Sequence, residues 1–295
     1  MALGTGNYIS ICTGGYGLDL GVDLATGGEA RAVCLVENEA TAAALLVHHM
    51  EAGRIHPAPL WSDLRTFDFR AWRGKVSGLV GGYPCQPFSN AGKRLGADDP
   101  RHLWPVIEQG IADLQPEWCF FENVGAHLRL GFREVAGSLH GLGYRVAAVL
   151  LTASEVGAPH GRERLFILAH RNKQHDDGRG DAGARGRSES SDRDGQLGGV
   201  EHADLPRLEG RRVALDGGAD EWLAWPPGPT DADAWRRVIA ARPDLAPATQ
   251  PPVRGMADGL AGGLGRSDQL HILGNGVVPQ QAAYAMTMLM EALGE

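Results

Sequence analysis

The sequence predicts an α/β fold built on an open, mostly parallel, doubly wound sheet, and three observations carry that reading. Short apolar runs of strand length at 8–12, 32–36, 76–80, 118–121, 145–151 and 165–169 alternate with helix-length patterns at 40–50, 102–114, 133–142 and 280–293. A glycine-rich turn, Thr13-Gly14-Gly15-Tyr16-Gly17-Leu18-Asp19-Leu20-Gly21, follows the first run directly. Residue types capable of chemistry sit just past the ends of the runs, where an open α/β sheet collects its ligands.

The bulk properties narrow the class. A chain of 295 residues with 43% hydrophobic content can bury one sizeable domain and a smaller appendage. No run of eighteen apolar residues occurs, and the N-terminus lacks a basic-then-apolar pattern, so the expected location is the cytoplasm, with no membrane partner. Cys12, Cys34, Cys85 and Cys119 are far apart and form no C-x-x-C pair, which argues against a disulfide framework and against a zinc site. A net charge of −8 argues against a generally basic nucleic-acid binder but leaves room for a local basic cleft. Lysine occurs only at 75, 93 and 173, so nearly all the positive charge is arginine. That suits bidentate contacts to phosphate and guanine, and a GC-rich genome gives the same bias.

Along the chain, the glycine turn after the first strand lets backbone amides approach a nucleotide-like ligand. The second strand ends in Glu37, about twenty residues on, either a solvated strand-end acid or a ligand for ribose hydroxyls. Ser62-Asp63-Leu64 reads as the end of a third strand-level segment, with Asp63 able to accept from an amino group. Val76–Val80 then stops at Gly81-Gly82, and Cys85 follows between Pro84 and Pro87. A thiol so mounted, followed by the polar, glycine-containing stretch Ser89–Arg101, is either a buried structural cysteine or a nucleophile beneath a movable flap. Glu122-Asn123-Val124 closes the 118–121 run, and Arg162-Glu163-Arg164 opens the 165–169 run with both guanidinia on one face by the period of two. Residues 172–199 are nearly devoid of large apolar side chains and read as a flexible connector. Beyond them, 221–229 and 235–239 offer material for a small irregular module. Gly274-Asn275-Gly276-Val277-Val278-Pro279 then leads into a last apolar helix, with Pro279 in its first turn.

Pro84-Cys85-Gln86, Glu122-Asn123-Val124, Arg162-Glu163-Arg164 and Gly274–Pro279, in this order, resemble the DNA (cytosine-5) methyltransferase family. The resemblance covers the chain apart from about 172–248. It implies a Rossmann-like S-adenosylmethionine-dependent methyltransferase fold with a small irregular target-recognition region. It divides the chain into a catalytic and cofactor-binding domain (1–171), a recognition region (172–255) and a return segment (256–295) whose helix completes the first domain. Cys85 would attack carbon 6 of a cytosine, Glu122 would share a proton with ring nitrogen 3, Arg164 would bond the ring carbonyl, and Arg162 would orient Glu122 or a phosphate. Asn123 joins this catalytic set. For S-adenosylmethionine the resemblance implies Cys12, Gly14, Gly17 and Leu18 on the methionine side, Glu37 on the ribose, Asn38, Asp63 and Leu64 beside the adenine, Leu103 over it, and Asn275 at the carboxylate end.

This chain departs from the family where Tyr16 stands for a glycine, Cys12 for an aromatic and His160 for a glutamine. The implied partner is double-stranded DNA, with the target base rotated out of the stack and the 89–101 flap closing over it. The implied state is a monomer; a cognate restriction enzyme is compatible with this and not read from the residues. Arg207, Arg211, Arg212, Arg236 and Arg237 are candidate DNA contacts or solvated charges. Two other readings share many of these residues: the same chemistry on a transfer RNA, and a catalytically silent S-adenosylmethionine or DNA binder.

Overall fold

In the computed structural model of the chain, the structure describes residues 6–84, 103–158, 160–172, 211–214, 222–225, 233, 236–237, 240, 272 and 274–294. The sheet contains β1 (Gly6–Ile11), β2 (Ala30–Val36), β3 (Leu60–Trp61), β4 (Gly78–Gly81), β5 (Trp118–Val124), β6 (Tyr144–Thr152) and β7 (Glu163–Arg171). Their spatial order is β3-β2-β1-β4-β5-β7-β6. The first five run parallel, and β7 lies antiparallel between β5 and β6. The chain moves outward from β1 through β2 to β3, then returns to start the other half at β4. That reversal opens a crevice at the carboxyl ends of β1 and β4.

Helices cover both faces, and strand alternation sorts the core between them. Ile9, Ile11, Leu79, Cys119, Phe121, Leu165 and Ile167 face one way, toward α3 (Trp104–Leu114) and α5 (Phe132–Gly141), which follows the short α4 (His127–Leu130). Tyr8, Val80, Trp118, Phe120, Phe166 and Leu168 face the other way, toward α1 (Gly17–Thr26), α2 (Ala40–Glu51) and α6 (Pro279–Ala292). A register shift after Tyr8 against Ala32–Cys34 lets β2 send Ala30 and Ala32 to the second face, then Cys34 and Val36 to the first. Phe120 and Phe166 stack across the antiparallel seam, with centroids 5.9 Å apart.

The sequence expectations differ from this fold in three places. The third strand is only Leu60–Trp61, and Asp63 instead caps a 3-10 turn at Leu64–Thr66 by accepting from Arg65 N–H at 3.0 Å. The second half of the glycine-rich stretch 13–21, read as turn, is the start of helix α1. A strand pair also forms from Arg211–Ala214 (β8) and Trp222–Trp225 (β9), running antiparallel, where irregular material was expected.

Helix α6 packs along α1 and against β6 and β7. A side chain at Gly21 would overlap the methyl of Ala282, and one at Gly17 would overlap the carbonyl of Val277. Glycine at both positions is what lets the end of the chain press against α1. Among the described residues, no helix is long and apolar enough to cross a membrane.

Candidate active site

The cleft at the β1/β4 switch encloses about 360 Å³ including its mouth. One wall is the turn after β1, from Cys12 to Gly17, with Leu18 and Asp19 of α1 behind it. The second is Gly81 and Gly82 after β4, with Glu122 of β5 beyond, and the third is Asn275, Gly276 and Val277. Cys12, Gly14, Gly17, Leu18, Asn275 and Glu122, far apart in sequence, therefore meet in one cavity. Glu37 stands at its rim, where Oε2 accepts from Gly14 N–H at 2.8 Å and Oε1 from Glu39 N–H at 2.8 Å. Glu37 reaches the cavity only through Gly14, and the other residues expected at the cofactor do not line it either. Asn38 is exposed beside Glu37, Asp63 caps its turn, Leu64 is core, and Leu103 packs half-buried on the core below α3.

The turn carries an unusual backbone. Cys12 and Tyr16 both hold left-handed conformations, at φ 49° and 70°. Such geometry costs a residue with a side chain about 1–2 kcal/mol each, which is why a glycine at position 16 would be the easier choice. Beneath the turn lies a buried polar floor. Ser10 Oγ donates to Asp19 Oδ2 at 3.0 Å and lies 3.0 Å from Thr13 Oγ1. Burial pushes the Asp19 carboxyl up to about 7, against the pull of its bonds to Ser10 and Tyr8. Neither Ser10, Thr13 nor Asp19 was expected at the site. An acid in a first helical turn reads from sequence as a helix-dipole partner, and its contact with Ser10 needs the chain to fold back.

At the inner end, Arg164 Nε lies 2.7 Å from Glu122 Oε1, both side chains largely buried. Burial pushes Glu122 up to about 7, with Arg164 and then Arg162 pulling the other way. At neutral pH this acid thus exchanges its proton readily, unlike a surface glutamate. Asn123 faces the other side of β5 and donates from Nδ2 to the carbonyl of Tyr83 at 3.0 Å. The Tyr83 hydroxyl pairs with His127 Nε2 at 2.9 Å, and its ring packs with Trp104, Phe121 and His127. The stem that leads to position 85 is thereby held at Tyr83 from both its main chain and its side chain.

Cys85 and the 89–101 flap lie outside the described residues, as do nearly all of 173–248 and Arg207. Arg211 and Arg212 fall on β8, and Arg236 pairs with Asp233 at 2.7 Å on an exposed surface. The three described cysteines are poor nucleophiles: burial pushes Cys34 up to about 11, Cys12 up to about 12 and Cys119 well above the usual thiol range. The two arginines expected to share one face have separate partners. Arg164 meets Glu122, whereas Arg162 donates to the carbonyls of Gly274 at 2.6 Å and Gly276 at 2.5 Å. Among the described residues, no cluster of His, Cys, Asp or Glu could hold a metal ion.

The strand order, with β7 reversed beside β6 and the cleft at the carboxyl edge, defines a methyltransferase-type α/β fold. The solved structures of Entamoeba histolytica methyltransferase EhMeth (TM-score 0.58, 13% identity, 99% of each chain) and S. pombe Dnmt2 methyltransferase (TM-score 0.54, 16% identity, 98% of this chain and 99% of that one) share the fold. The chain belongs to the C-5 cytosine-specific DNA methylase family, whose profile matches residues 6–201. It is 34% identical over 169 residues to the type II methyltransferase M.NaeI of Lentzea aerocolonigenes, covering 56% of this chain and 40% of that protein. With M.NgoMIV of Neisseria gonorrhoeae it shares 32% over 173 residues, covering 56% and 52%. The matched part spans about half or less of these relatives' own length.

Proposed function

We propose that this chain transfers a methyl group from S-adenosylmethionine to carbon 5 of a cytosine rotated out of duplex DNA, through a covalent Cys85 adduct at carbon 6. The observation that carries the proposal is the buried Glu122–Arg164 pair, whose Glu122 lines the same cleft as the glycine turn. A base in that cleft meets an acid that holds its proton near neutrality and a guanidinium beside it.

The cofactor pocket fits the residues present. A cradle of small residues at 14, 15 and 17, the acid Glu37 at the rim and the amide Asn275 opposite supply backbone donors, a ribose acceptor and a carboxylate partner. Bound there, S-adenosylmethionine supplies an electrophilic methyl on a sulfonium. This chain's residues do the rest. The Cys85 thiolate adds to carbon 6, and Glu122 gives a proton to nitrogen 3 as negative charge develops on the ring. Arg164 holds the Glu122 carboxyl and bonds the ring carbonyl, while Glu122, facing nitrogen 3 and the exocyclic amine, favours cytosine over thymine. Loss of the carbon 5 proton to a water in the cleft then expels the thiolate, and nitrogen 3 returns its proton to Glu122, which restores the ring. Asn123 serves by bracing Tyr83, two residues before the thiol.

Residues 1–171 and 256–295 are assigned to catalysis and cofactor binding, and 172–255 to target recognition. Duplex DNA is the partner, met by a single copy of the chain in the cytoplasm.

A randomised duplex pool containing 5-fluorocytosine tests the proposal, because fluorine at carbon 5 blocks the last elimination. With S-adenosylmethionine present, the wild type should form a denaturation-resistant protein–DNA adduct, and Cys85→Ala should form none. Absence of adduct from the wild type, with methyl incorporation into transfer RNA instead, would reject duplex DNA as the substrate.

A further inference from the structure

We propose that Arg162 is a positioning residue that fastens the segment 274–276, and with it Asn275, to the start of β7, so that the cofactor wall of the cleft and the Glu122–Arg164 pair are held in one register. The inference rests on the reading of the cleft given under Proposed function.

Arg162 and Arg164 are two residues apart, and by strand alternation both should serve Glu122. Only Arg164 does so directly. Nη2 of Arg162 instead donates to two carbonyls, Gly274 at 2.6 Å and Gly276 at 2.5 Å, which flank Asn275. The main chain of the same residue is tied to the same part of the protein. Its carbonyl accepts from Gln281 Nε2 at 3.0 Å, and Gln281, fully buried in the first turn of α6, also donates to Leu151 at 2.8 Å. Ala153 N–H meets that Arg162 carbonyl as well, at 3.0 Å. One residue further along the segment, the Val277 carbonyl abuts Gly17 at the start of α1. The short segment that carries Asn275 is therefore gripped from the β7 side by a guanidinium and from the α1 side by a glycine with no side chain.

The choice of arginine follows. A planar fork presents several donors in fixed directions and stays charged when half-buried, whereas the single ammonium of lysine is a flexible point donor. Burial pulls the Arg162 pKa down somewhat, yet its charge is still felt at Glu122. A change at this residue should therefore be read first in cofactor affinity and only second in the acid.

The test compares wild type, Arg162→Lys, Arg162→Gln and Arg164→Lys, measuring S-adenosylhomocysteine affinity by calorimetry and KM and kcat for methyl transfer. Arg162→Gln should weaken S-adenosylhomocysteine binding and raise the KM for S-adenosylmethionine about tenfold, a larger change than its effect on kcat. Arg162→Lys should fall between the two, and Arg164→Lys should lose kcat instead. Wild-type affinity in a folded Arg162→Gln chain, or a loss of kcat at unchanged KM, overturns the inference. If circular dichroism finds Arg162→Gln unfolded, Arg162→Lys decides, and a lysine variant indistinguishable from wild type overturns it. A wild type that binds S-adenosylhomocysteine but never methylates cytosine defeats the proposed reaction while leaving the affinity comparison intact. A wild type that binds none defeats both.

Discussion

Glu122 shows how one side chain comes under two opposed influences. Its burial raises its proton affinity, while the 2.7 Å contact with Arg164 favours the charged form, and burial wins, leaving it at about 7. A group so balanced can give a proton to a ring nitrogen and take it back near neutral pH. Glu122→Gln should therefore slow single-turnover methyl transfer about 100- to 10,000-fold, the usual contribution of a positioned acid, and the wild-type rate should decline as pH rises above about 7. A glutamine variant within tenfold of wild type would remove the acid from the chemistry. That Glu122 and Arg164 belong to one site was implied by the family motifs, although their direct pairing was not, because it needs β7 to run antiparallel beside β5. The partners of Arg162 were not implied either, since Gly274 and Gly276 lie more than a hundred residues further on.

At the scale of elements, the site depends on α6 reaching back across the sheet to α1. The seam is close at Gly21, where a side chain would meet the Ala282 methyl and the Pro279 carbonyl. Gly21→Val should destabilise the chain by about 1–3 kcal/mol through overpacking, seen as a lowered urea midpoint at unchanged m-value. A variant within about 0.5 kcal/mol of wild type would mean that the seam is looser than described. The apolar character of 280–293 foretold the helix. Its partner α1 was hidden behind the glycine turn, because glycines that admit a close neighbour look the same in sequence as glycines that break a helix. The reversed direction of β7 was equally hidden, as an apolar run has the same period whichever way it points.

For the molecule as a whole, the two raised carboxyls give stability an unusual dependence on pH. Asp19 and Glu122 each hold a proton in the folded chain up to about 7, whereas in the unfolded chain they release it near 4. Between those values the folded state binds more protons, so unfolding free energy falls as pH rises. The loss is of order a few kcal/mol for the two together, complete once pH passes the folded values. Chemical denaturation should find the protein more stable at pH 5 than at pH 8, and Asp19→Asn should flatten part of that slope. Stability that rises over the same interval would contradict the burial of these groups.

What the sequence by itself determined was the order of most of the strands and helices, the glycine turn, and the four short motifs that mark a cytosine-5 methylase. These are local: hydrophobic period, turn chemistry and residue type act over a few neighbours. Only the tertiary structure decided which of those residues share a cleft, that Asp63 caps a turn, that Asp19 lies buried under Ser10, and that Arg162 grips the segment around Asn275. Each of these depends on burial and on contacts between distant parts of the chain, and no local pattern encodes either one.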